Sequence, residues 1–391
     1  MLEGSAYYRS QGIEVLIITW DFQEESLFDG YYPQDNIYLI GGSEDTGGSL
    51  TQRAFRRLKT VKSLRDKLRD FEPDIIFNQS EYDAALLKIA LAGLPYPHAS
   101  FVFGQMFQFR KDLAKYAFPF SQHLDEIRNS TPGYREFVPA QRPKSRLRDI
   151  VLAQAIAIPR YFAIRASKAI FVFSKQVQWE VSKVYGGAKA DIQKGAYPRA
   201  SIGAPQTYDV KKLRAKPGER ILLSLSRLIE KKRVGLKIRA LEILVRHRGI
   251  TDVRLVIGGK GEESENLANL VKELDLGDYV TFLGYVPETE VYPLTSISDV
   301  YLSLDVADFD ISPYEALSLK RKIIWSSEMD MDDYLSSCGA IFPVEPEPEA
   351  VADAIELALA RDEKSIDWNG LDRYSWETYF ENILRTIESR I

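Results

Sequence analysis

The 391-residue sequence predicts an α/β protein built from two Rossmann-like, doubly wound domains that face each other across a cleft. Three observations carry that prediction. Short apolar runs alternate with stretches of helical periodicity along the whole chain, the pattern of βα units around parallel sheets. Between residues 195 and 219 the run Gly195, Pro198, Gly203, Pro205, Pro217 and Gly218 breaks every regular pattern, after which the alternation restarts. The last helix, Ser375–Arg390, has Trp376, Tyr379, Phe380, Ile383, Leu384 and Ile387 on one side, a stripe that needs a partner surface and is expected to pack back on the N-terminal domain. The expected divisions are an N-terminal domain over 1–200, a linker over 201–218, a C-terminal domain over 219–373 and the terminal crossover helix over 374–391.

In chain order, Ile13–Thr19 and Asn36–Ile40 read as strands, and Leu50–Phe71 as an amphipathic helix. Asp74–Phe77 reads as a buried strand, Tyr82–Ala92 as a helix closed by Gly93, and Ser100–Phe103 as a strand. Residues 105–148 are aromatic, basic and irregular. Lys168–Phe173 is a strand and Lys175–Tyr185 a helix ended by Gly186-Gly187. Beyond the linker, strands are expected at Ile221–Ser226, Val253–Ile257, Tyr279–Phe282, 300–304, Lys322–Trp325 and Ala340–Phe342. Helices lie between them, one carrying Val234, Ile238, Leu241 and Val245 on one face, and Pro348–Arg361 follows the last strand.

Composition narrows the function classes. The 45% apolar and 27% charged content is that of a soluble globular protein. A net charge of −5 gives no reason to expect nucleic acid as partner. The single cysteine, Cys338, excludes an internal disulfide framework and fits a reducing compartment. His98, His123 and His247 are far apart and offer no metal-ligand spacing. The longest apolar run, Ile150–Pro159, is half the ~20 residues that span a bilayer, and Glu3 and Tyr7–Gln11 after Met1 do not read as a signal peptide.

The chemistry gathers in the second domain. Asp308-Phe309-Asp310-Ile311-Ser312-Pro313-Tyr314-Glu315-Ala316 joins a strand to a helix. Ser312 can cap that helix, Pro313 suits its first position, and Glu315 is placed at N3. Read in isolation, these residues are a capped helix start with solubilising acids. In context, Arg227 and Lys232 follow one strand, Gly259-Lys260-Gly261 another, and this stretch a third, so all should reach the same rim of a parallel sheet. Two cations beside free helix N–H groups would neutralise a diphosphate, and neighbouring carboxylates could grip sugar hydroxyls. The bland alternatives are a solvated helix start at Glu230–Arg233 and a turn at Gly259–Gly261. Asp308-Phe309-Asp310 also matches a metal-holding DxD pattern; that match is too short to argue for a metal.

Together these features resemble the GT-B glycosyltransferases, specifically the large retaining group 4 family (glycosyl transferases group 1). Ser226–Lys232 looks like the family's G-R-L-x-x-x-K segment, Leu255–Gly261 like L-x-I-x-G-x-G, and Val280–Val286 like V-x-F-L-G-Y-V. Phe309–Ala316 looks like the end of E-G-F-G-x-x-x-x-E-A, and Tyr374–Glu377 like F-S-W-E. Phe171–Lys175 and Lys194–Ala196 weakly match first-domain motifs. The resemblance implies a transferase that moves a sugar from a nucleotide-sugar donor to a glycan or lipid-linked acceptor with retention of configuration. Arg227 and Lys232 would hold the diphosphate, with backbone N–H groups near Ile311 and Ser312. Ser226, Gly259, Gly261 and Asp310 would line the donor site, and Glu315 would bind the ribose. No metal and no cofactor is expected beyond the nucleotide-sugar co-substrate.

The chain departs from the family pattern in places. The first glutamate of the pair is Ala307; Asp308 follows it and could serve, as could Asp310. The family's opening strand and glycine-rich loop have no counterpart before Ile13, which suggests an incomplete first sheet and a truncated or misassigned start. On the acceptor side, His98 and Gln105 are weak candidates. Arg142, Lys144, Arg146 and Arg148 precede Ile150–Pro159; the segment reads as a core helix with a basic flank or as a contact with an anionic membrane. The expected location is the cytoplasm, with peripheral contact at the inner membrane face as its extension. Two other functions fit less well: a turnover-deficient GT-B partner in a glycosyltransferase complex, and a sugar-nucleotide epimerase, for which no acid/base set is evident.

Overall fold

A computed structural model gives the structure of residues 2–19, 37–39, 50–79, 81, 83–103, 117–130, 146–204, 207–209, 213, 216–305 and 309–391. Strands occur at β1 Ile17–Thr19, β2 Ile37–Leu39, β3 Ile76–Asn78, β4 His98–Phe101, β5 Ile170–Val172 and β6 Asp191–Ile192. They continue with β7 Arg220–Leu225, β8 Val253–Gly258, β9 Val280–Gly284, β10 Val300–Ser303, β11 Lys322–Ser326 and β12 Ile341–Val344. The chain divides into two compact units: the first takes Met1–Ser130, Ala140–Gln193 and Tyr379–Ile391, the second Thr131–Pro139 and Lys194–Thr378.

The second unit is built on a six-stranded parallel sheet in the order β12-β11-β10-β7-β8-β9. Its strands are apolar on both faces because both are covered. Leu222, Leu255, Ile257, Val300, Leu302 and Ile324 pack with the helices Val234–Glu242 and Pro348–Ala360. The alternate residues Leu223, Val256, Tyr301, Ile323 and Trp325 pack on the other side with Tyr197, Tyr314, Leu317 and Tyr374. The chain after residue 193 is tied to the start of the terminal helix: Ala196 N–H donates to Tyr374 O (3.0 Å) and Trp376 N–H to Tyr197 O (2.8 Å). Strand order reverses between β10 and β7, the position in a doubly wound sheet where ligands bind.

The strands of the first unit form two parallel sheets among the described residues, β1-β2 and β3-β4-β5-β6. From Tyr379 onward the terminal helix Trp376–Glu388 belongs to this unit, as expected. Phe380 packs on the rings of Tyr7 and Tyr8 (5.8 and 5.7 Å between centroids) from the helix Leu2–Ser10, and the absence of a side chain at Gly4 makes room for it.

Several expected elements shift. The strand expected at Ser100–Phe103 starts at His98, and the helix expected over Tyr82–Ala92 is confined to Ala84–Ala90. The irregular stretch 105–148 contains the helix Phe120–Ser130 and the start of Arg146–Arg165. The latter packs on Ala84–Ala90. Two short helices, Glu288–Ser296 and Asp333–Ser337, carry too few turns for their periodicity to stand out.

Candidate functional site

Because β10, β7 and β8 are adjacent and parallel, the loops that leave their C-terminal ends share one rim. The β7 loop runs through Ser226 and Arg227 into a 3-10 turn, Glu230–Lys232, and the β8 loop runs through Gly259, Lys260 and Gly261. The two loops are stitched by backbone bonds: Ser226 N–H to Gly258 O (3.1 Å), Leu228 N–H to Lys260 O (3.0 Å) and Glu263 N–H to Leu228 O (2.9 Å). This close approach explains the glycines. Gly259 has φ +136°, and a Cβ there would overlap Ser226 O; one at Gly261 would overlap Leu228 O.

Two cations are presented differently at this rim. Arg227 is exposed and has no side-chain partner among the described residues. Lys232 is largely buried and its ammonium is paired with Asp305, itself 3% exposed, just past β10. The next residue, Arg233, sits in a left-handed conformation (φ 46°) and pairs with Glu328 at 2.5 Å.

The helix after β10 corrects the expected cap. It spans Ile311–Ser318, two residues earlier than a Ser312 cap requires, with Asp310 at the cap position. The Asp310 carboxylate does not cap; it accepts from Ser303 Oγ at 2.8 Å, inside the fold. Pro313 therefore lies within the first turn, and among the described residues no side-chain cap is made to the N-terminal N–H groups of Ile311 and Ser312. Glu315 is a turn further on rather than in a capping box. Burial pushes its carboxyl up to about 7, with Asp310 and Glu288 adding to the rise. Burial also pushes Asp310 up to about 6, helped by Asp305 and opposed by Lys232. Among the described residues no group of three or more His, Cys, Asp or Glu side chains is placed to hold a metal.

Asp308 and Gln105 lie outside the described residues, as does Ala307. His98 is corrected as an acceptor-side candidate: it is buried in β4, its Nε2 donates to Ala163 O at 2.8 Å, and burial lowers its pKa. A neutral, satisfied core histidine has no route to an acceptor.

Sequence reasoning passed over three residues at this rim. Lys237 is fully buried beneath it and donates to Ser224 Oγ at the end of β7 (2.9 Å). Asp305 and Ser303 complete the group. The signal for Lys237 was available, since it falls on the apolar stripe between Val234 and Leu241, where a cation is out of place.

Residues 206–369, within the second unit, match the family model described as Glycosyl transferases group 1. The amylovoran biosynthesis glycosyltransferase AmsK of Erwinia amylovora is 28% identical over 154 residues, 37% of this chain and 37% of that protein. The chain thus spans little more than a third of the length of that relative. Among solved structures, a glycosyltransferase from Rickettsia africae ESF-5 superposes with a TM-score of 0.70 at 15% identity, covering 99% of this chain and 93% of that one. Anabaena Alr3699/HepE, solved in complex with UDP and glucose, superposes with a TM-score of 0.66 at 15% identity, covering 99% and 94%. At such identity these structures establish the fold, which is that of the GT-B glycosyltransferases.

Proposed function

We propose that the chain transfers a sugar from a nucleotide-sugar donor to a glycan or lipid-linked acceptor, without a metal and with retention of configuration. One observation carries the reading: Arg227, Lys232, an uncapped helix N-terminus and Glu315 share the rim of three adjacent parallel strands. Arg227 and Lys232 neutralise the donor's diphosphate, and the N–H groups of Ile311 and Ser312 complete its cradle. The developing charge on the leaving phosphate is stabilised by these fixed cations, which do the work a divalent ion does elsewhere. Glu315, as a carboxylate, accepts the ribose hydroxyls. The acceptor oxygen bonds to the anomeric carbon from the face the nucleotide leaves, and its proton passes to the departing phosphate oxygen.

The family relative named for amylovoran biosynthesis supports a polysaccharide product, and the neighbour solved with UDP and glucose makes UDP-sugars the first donors to try. The first unit supports contact with a lipid surface. Its helix Arg146–Arg165 buries Ala153, Ala157, Ala163 and Ile164 while Leu147, Val151, Ile158 and Phe162 expose 41–75% along the opposite face. Large apolar groups outside and alanines inside are the reverse of a core helix, and the basic run from Arg142 to Arg148 adjoins it in sequence. No helix among the described residues is long and apolar enough to cross a membrane.

The test is nucleotide release from a panel of UDP-, GDP- and ADP-sugars, with Lys232→Ala as control and with EDTA added. Release that depends on Lys232 and ignores EDTA is expected. Loss of release in EDTA overturns metal independence, and binding without turnover across a broad acceptor panel favours the partner-subunit reading. Product anomericity read by NMR tests retention. Flotation with anionic liposomes, lost in Leu147→Ser/Phe162→Ser, tests the lipid contact.

A further inference from the structure

Under the donor rim lies a group of charges that the proposed chemistry does not require. Lys237 is wholly buried, and among the described residues its ammonium hydrogen-bonds Ser224 Oγ alone. Asp305 is buried, with one oxygen on Lys232 and the other, Oδ1, without a hydrogen-bond partner among the described residues. Asp310 lies half-buried beside it, its carboxylate held by Ser303. These groups come from three elements: Lys237 from the helix Val234–Glu242, Lys232 from the preceding turn, and the two acids from the chain after β10. They meet where the strand order reverses, between β7 and β10.

We propose that Asp305 and Lys237 are positioning residues for Lys232, Asp305 anchoring its ammonium at the donor rim and Lys237 supplying from behind the counter-charge that balances the acids without consuming the positive field of Lys232. The inference rests on the reading of Lys232 as a diphosphate ligand. A lysine is a long, rotamer-rich chain, and it can meet a phosphate in one geometry only if something fixes its tip. A buried carboxylate fixes it, but at a cost: one acid beside one lysine cancels the charge that the phosphate needs, and a second acid, Asp310, would over-cancel it. Lys237 restores the balance. With all four groups ionised the cluster is neutral, and protonation of Asp310 leaves it cationic towards the rim. A shared proton from Asp310 also satisfies the orphaned Asp305 Oδ1. Desolvation has lowered Lys237 to about 8, with Lys232 lowering it further while Asp305 and Asp310 oppose the fall, so its charge is lost within an accessible pH range. The other titratable groups facing the cluster are Tyr301 and Glu315, with Arg233 held off by Glu328.

The experiment measures the affinity of UDP, GDP and ADP from pH 6 to 9, with thermal melting alongside, in the wild type, Lys237→Met, Lys237→Met/Asp310→Asn and Lys237→Met/Asp305→Asn. Wild-type affinity should fall as pH rises past about 8, as Lys237 loses its proton. Lys237→Met should bind about tenfold more weakly at pH 7 and lose that alkaline limb. Removing Asp310 as well should restore most of the affinity, because the charge balance returns with the anchor intact. Removing Asp305 instead should not restore it. Equal rescue by both acids overturns the anchor, leaving net charge alone. Wild-type affinity and an unchanged pH profile in Lys237→Met overturn the role of Lys237. A wild type that binds none of the three nucleotides overturns the reading of the site together with this inference, whereas binding that all variants share overturns this inference alone. If a double variant fails to fold, the pH profile of Lys237→Met decides.

Discussion

The two ends of the six-stranded sheet treat buried charge in opposite ways. At the N-terminal ends of the strands, Arg254 of β8 is 4% exposed and its guanidinium is fully engaged. It donates to Glu219 (2.8 and 3.4 Å), Thr281 Oγ1 (3.3 Å) and Asp278 O (2.8 Å). Arg220 Nε is the exception at this end, buried and without a hydrogen-bond partner among the described residues. At the C-terminal ends, Ser226 Oγ and Asp305 Oδ1 are buried without partners among the described residues, Glu315 is desolvated, and the helix start at Ile311 is uncapped. A fully paired charge rigidifies a fold; an under-satisfied one keeps bonding capacity for a ligand. The first end is built to hold the sheet, the second to meet something.

That contrast can be broken by mutation, starting at the structural end. Arg254→Met strands a buried Glu219 and should cost about 3–5 kcal/mol in chemical denaturation, with nucleotide affinity of the folded protein unchanged. Pairing it with Glu219→Leu should recover most of the loss. A drop in nucleotide affinity at full stability would show that the two ends do not divide the work this way. At the other end, Arg227→Ala should lower the rate of donor cleavage about 10²–10³-fold, about 3–4 kcal/mol of transition-state stabilisation. Because Arg227 is exposed and has no side-chain partner among the described residues, the variant's melting temperature should match the wild type.

Glu315 carries the pH prediction. Its folded pKa of about 7 lies above the unfolded value of 4.5. The folded state therefore holds the proton more tightly, and stability falls as pH rises between those values. Glu315→Gln removes this penalty: it should stabilise the ligand-free protein by about 3 kcal/mol at pH 8 and not at all at pH 4, while weakening donor binding. Equal stabilisation at both pH values would mean that the carboxyl is not desolvated. The smallest effect belongs to a charge at neither end. Arg248 bridges Glu349, Asp353 and Glu356, all more than half exposed, and Arg248→Ala should cost less than about 1 kcal/mol, an effect that salt should erase.

How far the chain could be read in advance follows from the same physics. The strands of the second unit are covered on both faces, so they appear in the sequence as short, mostly apolar runs such as Val253–Ile257, found to within two residues of their ends. The first unit has strands of two to four residues, too short for a period to register, and one of its long helices, Arg146–Arg165, is apolar on its exposed side and so has no polar face to mark it. The glycines at 259 and 261 were legible as a turn, but not as the place where two loops touch backbone to backbone.

By itself the sequence determined the two-unit α/β plan, the parallel order of the second half and the strand ends from which Arg227, Lys232 and Glu315 emerge, because periodicity and chain breaks are local properties. The tertiary structure alone decided what those charges meet. The cap expected from Ser312 gave way to an Asp310 turned inward to Ser303, and a lysine read as part of a helix became a buried counter-charge. Burial and ion pairing depend on residues more than 60 positions apart, such as Lys232 and Asp305, and no local pattern encodes them.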